Sequence, residues 1–159
     1  MSFGTGHHQT TYLMCKLMFE LNLKDKVVLD MGSGTGILAI LAEKLGAKNV
    51  TAYDIEPWSV ENCIENAKKN NCSKIISLLG DIDQVEEEFD IILANINKNV
   101  LKHQIPYYSK LINTNGKLLL SGFFTGDEAE LTTRAEENGF HFQFSDNKES
   151  WSVLQFYKI

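Results

Sequence analysis

One ten-residue stretch, VVLDMGSGTG from Val27 to Gly36, limits this chain more than any other. Its opening residues are mostly apolar or β-branched, as a strand buried on both faces of a parallel sheet requires. Asp30 stands at the strand's carboxyl end, and Gly32, Gly34 and Gly36 follow at alternate positions. Glycines so placed let the backbone turn sharply and come within van der Waals reach of a ligand. The run ILAILA behind them reads as helix, so a helix amino terminus faces the same space. Strand, glycine turn and helix start together make the cradle of a nucleotide-type cofactor.

The rest of the chain must supply a sheet around that strand. Its 159 residues suit one domain, 1–159, able to bury about 70% of the unfolded chain's surface. No apolar run reaches the roughly 20 residues of a membrane span, and no secretory signal opens the chain, so a cytoplasmic location is expected. Cys15, Cys63 and Cys72 lack any CxxC spacing and read as reduced thiols, with no metal site or disulfide. A net charge of −6 argues against direct nucleic-acid binding and suits a basic partner.

Periodicity then sets out the elements. Residues 1–9 read as a loop, and from Thr10 a helix carries Leu13, Met14, Leu17, Met18 and Leu21 on one stripe. Further strands are expected at Val50–Ile55, Ile75–Leu79, Phe89–Ala94 and Lys117–Leu120. Helices are expected after Gly36, from Pro57, over Leu101–Ile112 with Pro106 starting or kinking it, and from a Thr125-x-x-Glu128 capping box. Asn115-Gly116 reads as a turn, and Asp83 to Asp90 as a solvated acidic loop. Phe140–Phe144 and Val153–Tyr157 alternate as a terminal antiparallel pair. The expected fold is a doubly wound, Rossmann-like α/β sheet, mostly parallel with a C-terminal antiparallel hairpin.

In such sheets ligands bind beyond the carboxyl ends of the strands. Asp30, Asp54, Asp81 and Asn95 each end or immediately follow one of the first four strands, so all four should line one rim. The glycine spacing is GxGxG, whereas the dinucleotide fingerprint is GxGxxG. Asp30 also sets a carboxylate where a pyrophosphate would approach, which favours a ligand carrying an ammonium and a sulfonium. Asp54 can accept from two ribose hydroxyls, which either kind of cofactor offers. S-adenosylmethionine is the better reading of this cradle.

The segments DMGSGTGILAILAEKLGA, AYDIEPWSVENCIENAKKN, FDIILANI and GKLLLSGF resemble class I methyltransferases. FGTGHHQTT ahead of them resembles, more specifically, the ribosomal protein L11 methyltransferase family (PrmA). The resemblance covers the chain from Phe3 onward and implies methyl transfer from S-adenosylmethionine to lysine side chains and the amino-terminal amine of a ribosomal protein. It implies that Phe3, Thr5, Gly6 and Thr11 close over the cofactor and that Gly32 and Gly34 approach its methionine part. By the same resemblance Asp54 holds the ribose, Asp81 meets the adenine amine, and Asn95 of the ANI segment lies between cofactor and substrate. The family's usual cysteine in the glycine motif is Ser33 here. Family members carry an amino-terminal recognition domain ahead of FGTG, and the expectation here is the catalytic domain alone.

Methyl transfer from a sulfonium needs no metal and no enzyme nucleophile. Asn95 is therefore assigned a positioning role, its side-chain oxygen accepting an N–H of the amine. His7 and His8 are alternative bases, more often a hydrogen-bonding or packing feature in such a loop. Phe3 admits two readings, shielding the sulfonium or anchoring its loop. Trp58 and Trp151 are expected to pack, and Phe123-Phe124 fits either a substrate entrance or the core. The competing functions are a same-fold enzyme acting on a small amine or an RNA base, a cofactor-binding domain without activity, and a nicotinamide oxidoreductase.

Overall fold

The computed structural model describes the backbone from His7 and the side chains from His8 through Ile159. Among these residues seven strands form one sheet in the order β3-β2-β1-β4-β5-β7-β6. They are β1 (Val27–Met31), β2 (Asn49–Asp54), β3 (Ile75–Leu79), β4 (Phe89–Asn95), β5 (Ile112–Phe124), β6 (Phe140–Lys148) and β7 (Trp151–Lys158). The first five run parallel, and β7 is antiparallel to both β5 and β6. This is the doubly wound sheet with a terminal hairpin, and its strand order reverses between β1 and β4, where a ligand crevice forms.

Among the described residues five helices cover the two faces: α1 (His7–Phe19), α2 (Ile37–Lys44), α3 (Pro57–Lys69), α4 (Lys98–Leu111) and α5 (Glu128–Glu136). Alternate residues of each strand serve opposite faces. Val28, Val50 and Leu93 pack under Leu13, Leu17 and Leu38 of α1 and α2. Leu29, Ile92 and Leu118 pack under Leu101, Ile105 and Leu131 of α4 and α5. Each such side chain, fully buried, contributes roughly 1.5–3 kcal/mol.

Several boundaries differ from the sequence expectation, each for a tertiary reason. α1 spans His7–Phe19, so residues 7–9 are helix rather than loop, and Thr10 in that first turn is fully buried. α4 begins at Lys98, where the Asn97 side chain accepts the Val100 N–H at 3.1 Å, and it continues past Pro106 to Leu111. Proline cannot donate to the carbonyl four residues back. That carbonyl, on Lys102, accepts Arg134 Nε of α5 at 3.0 Å instead.

The Asn115-Gly116 turn is an excursion within β5: Asn115 has φ 67°, and pairing with β4 jumps from Ile112 opposite Phe89 to Lys117 opposite Ile91. The Thr125 capping box does not form. A 3-10 turn over Thr125–Asp127 precedes α5, Asp127 accepts the Phe124 N–H, and Glu128 takes the Ser152 hydroxyl. The acidic segment is not simply solvated. Val85 and Phe89 are buried, and Asp90 accepts Val27 N–H at 2.9 Å and Asn113 Nδ2 at 3.0 Å. Burial alone would raise the Asp90 carboxyl, but these donors, with Lys26 and Lys48 nearby, hold it below the usual range.

Candidate cofactor and substrate site

A cavity of about 840 Å³ opens at the carboxyl ends of β1, β2 and β4, roofed by the starts of α3 and α4. Its size suits a small-molecule ligand. Gly34, Asp54, Trp58, Asp81, Asn95 and Gln104 stand on its wall.

The glycine turn is tied down by its own amides. Gly32 and Ser33 both donate to the Tyr53 carbonyl of β2, at 2.8 and 3.0 Å, and Gly36 donates to the Ser33 carbonyl at 2.9 Å. Gly34 N–H donates to Asp54 Oδ2 at 2.9 Å. These four amides serve protein acceptors and are spent before any phosphate could use them, in contrast to a pyrophosphate cradle. Gly34, with φ 54°, has open space where a Cβ would project. Gly32 lines the cavity through its backbone, but a Cβ there would stand 2.5 Å from Ile96 Cγ2. One glycine therefore faces the ligand space and the other lets the segment after β4 lie close.

Asp54 is nearly buried and rigidly aimed, because its other oxygen, Oδ1, accepts Glu56 N–H at 2.9 Å. Asp30 was expected on the rim, but at 1% exposure it lies behind the glycine turn, away from the cavity wall. Its Oδ2 holds no hydrogen-bond partner among the described residues. Burial pushes the Asp30 carboxyl up to about 7; an N–H of Ala39 pulls the other way, and the charge of Asp54 adds to the rise. The reason for the displacement is register: residue 30 sits on the face that packs against α1 and α2, and the turn only begins after Met31.

Asp81 is exposed and caps the short 3-10 turn at Ile82–Gln84, accepting Ile82 N–H at 2.7 Å. Asn95 ends β4 opposite Ser121 of β5. It is 9% exposed, lines the cavity, and its buried Oδ1 has no partner among the described residues. Ser33 Oγ shares that state beside the turn, as do Gln9 Oε1 and Thr11 Oγ1 on α1. Buried polar atoms are nearly always paired, so the Asn95 oxygen on the cavity wall marks a place where a ligand can supply the partner. Thr11 itself does not line the cavity, and Phe3, Thr5 and Gly6 lie outside the described residues.

The structure therefore brings Gly32, Gly34, Asp54, Asp81 and Asn95 together, and leaves Asp30 and Thr11 off the wall. Trp58 corrects the sequence reading: it does not pack but is 54% exposed at the cavity mouth, beside Ile55. Its position off the Val60–Cys63–Ala67 stripe was the available signal. Trp151 does pack, against Phe124 at 4.1 Å between ring centroids. Phe123 is core, and neither Phe123 nor Phe124 reaches the cavity. His8 is exposed and off the wall, where the histidine present is His103; the side chain of His7 lies outside the described residues. Gln104 is a further contributor that sequence reasoning missed. No group of three or more His, Cys, Asp or Glu among the described residues could hold a metal.

Comparison with known proteins bears on the family and the fold. The family model for ribosomal protein L11 methyltransferase (PrmA) matches residues 1–158. A ribosomal protein L11 methyltransferase of Porphyromonas gingivalis is 45% identical over 98% of this chain and 54% of its own length. The Bacteroides thetaiotaomicron protein of the same name is 41% identical over 98% of this chain and 56% of its own. The chain thus spans about half the length of the curated relatives it matches. The crystal structure of a ribosomal protein L11 methylase from Lactobacillus delbrueckii subsp. bulgaricus superposes with a TM-score of 0.92 at 33% identity, over 97% of this chain and 81% of that one. With a matching family model across nearly its whole length and a matching fold, the chain belongs to the ribosomal protein L11 methyltransferase (PrmA) family.

Proposed function

We propose that this domain transfers methyl groups from S-adenosylmethionine to lysine and amino-terminal amines of a basic ribosomal protein. The observation that carries the reading is the buried Oδ1 of Asn95 on the cavity wall, which has no hydrogen-bond partner among the described residues. A carboxamide oxygen held ready there suits an amine substrate, whose N–H it accepts while leaving the nitrogen lone pair free.

The cavity chemistry suits a cationic cofactor. The turn's amides are engaged internally, and the Asp54 carboxyl group stands on the cavity wall, an arrangement hostile to phosphate. When bound, S-adenosylmethionine supplies an activated methyl on a sulfonium centre. Asp54 retains lone pairs beyond those its two backbone bonds use and can accept from ribose hydroxyls. Asn95 fixes the amine, and enclosure of the site favours the neutral form of a lysine over its ammonium. Orientation and water exclusion, rather than a general base, then lower the barrier. A net charge of −6 suits a basic protein partner. A ribosomal substrate implies a cytoplasmic reaction, and among the described residues no helix is long and apolar enough to cross a membrane.

Labelled methyl transfer into ribosomal proteins, with and without the amino-terminal half of a longer relative, tests the reading. Label recovered in lysine or at the amino terminus supports it; label confined to RNA or to small amines refutes it. Asn95→Ala is expected to lower turnover about 30-fold, the loss of one hydrogen bond near 2 kcal/mol, with little change in cofactor affinity. Full turnover in a folded Asn95→Ala protein contradicts the positioning role. Asp54→Ala should instead weaken S-adenosylmethionine binding by about 1–3 kcal/mol in calorimetry. Unaltered affinity there would remove Asp54 from the cofactor site.

A further inference from the structure

Gln104 is a polar side chain on α4 that is 4% exposed and yet reaches the cavity wall. Nothing in the methyl-transfer chemistry requires it. Its amide, however, is oriented from within the core. Tyr108, one turn along α4 and fully buried, donates its hydroxyl to Gln104 Oε1 at 2.5 Å. Burial pushes the Tyr108 hydroxyl well above its ordinary range, so it stays a protonated donor at any working pH. Gln104 Nε2 points the other way, to Asp81 Oδ1 at 3.4 Å. The reversed amide would set its oxygen against the Asp81 carboxylate and strip Tyr108 of its acceptor, so one orientation is enforced.

Two adjacent groups of fixed and opposite character result. Asp81 is a carboxylate acceptor on the exposed side, and Gln104 is an amide donor whose second hydrogen has no acceptor among the described residues. We propose that Gln104, oriented by Tyr108, acts with Asp81 as a specificity pair that reads the amidine edge of a 6-aminopurine and rejects a 6-oxopurine. The inference rests on the reading of this cavity as an S-adenosylmethionine site. A 6-aminopurine offers an exocyclic N–H donor beside the N1 acceptor, which complements carboxylate and amide in that order. A 6-oxopurine offers a carbonyl oxygen beside an N1–H. Its oxygen opposes the carboxylate and its N–H opposes the amide donor, so two attractions become two repulsions. A Gln104 serving only to buttress Asp81 would make no such distinction.

Calorimetric binding of S-adenosylhomocysteine and S-inosylhomocysteine to the chain tests this pair. The wild-type protein should prefer the adenosyl ligand by about 100-fold or more. Gln104→Leu, close in volume, should lower that preference about 10-fold, mainly by weakening the adenosyl ligand. Tyr108→Phe, which frees the amide to turn over, should lower it by improving the inosyl ligand, and provides the readout if Gln104→Leu fails to fold. An unchanged preference in a folded Gln104→Leu or Tyr108→Phe protein overturns the proposal. Failure of the wild-type chain to bind either ligand overturns the cofactor reading, and this inference with it. Binding of both ligands with equal affinity overturns this inference alone.

Discussion

Gly122→Ala is expected to destabilise the protein by about 3 kcal/mol and to lower turnover in whatever folded fraction remains. Gly122 has φ 103°, in the left-handed region that L side chains rarely adopt. A Cβ there would lie 2.3 Å from the Ile96 carbonyl oxygen and 2.7 Å from its carbonyl carbon. Those neighbours are backbone and cannot rotate away, so strain and overpacking add. The pairing of β5 with β7 shifts register at this point, between Ser121 and Phe123, so the bulge is built around the glycine. Ile96 N–H donates to the Ser121 carbonyl at 3.0 Å, which binds the two segments together. Any shift of Ile96 therefore moves Asn95, the residue before it, along the cavity wall. Urea unfolding should show a lower midpoint with an unaltered slope. Gly126→Ala is the control: its Cβ position meets nothing within 4 Å, and a change within about 0.5 kcal/mol is expected. A Gly122→Ala protein as stable and active as the parent would contradict the role assigned to this contact.

The second large effect concerns Asp30. Its carboxyl ionises near 7 when folded, against 3.8 for the ordinary side chain. Between those values the folded chain holds a proton that the unfolded chain has released, so stability falls as pH rises through that window. The loss is complete once pH exceeds about 7, and is on the order of 4 kcal/mol. Asp30→Asn keeps the shape and removes the titration. The variant should gain on the parent steadily from pH 4 to pH 7, with no further change in the difference above that. Thermal melts of both proteins across the range check this, and a constant difference would show that Asp30 does not titrate there. A cationic ligand beside the turn favours the ionised carboxylate. Calorimetry of S-adenosylmethionine in buffers of differing ionisation enthalpy should accordingly detect proton release at pH 6 and little at pH 8.

Much of the site was legible because it depends on chain position. β1 and β2 are apolar runs ending at Met31 and Asp54, and strand ends in a parallel sheet share one rim. Asp54, Asp81 and Asn95 converged for that reason. Asp30 did not, because being one residue short of a strand's end changes which face a side chain joins. Trp58 was misread because an aromatic residue suggests core, whereas the first turn of α3 stands above the cavity mouth.

Local rules of the chain thus determined the strand–turn–helix cradle, the parallel order of the elements, and the carboxylates along their ends. Only the tertiary structure decided that Gly32 and Gly122 receive Ile96, that Arg134 takes the carbonyl freed by Pro106, and that Tyr108 orients Gln104 toward Asp81. Most of these pair groups from separate elements, and the Tyr108–Gln104 bond matters only where Asp81 meets it. Hydrophobic periodicity records which face of an element is buried, not which atom it meets there. That partner is chosen when the sheet brings distant segments into contact.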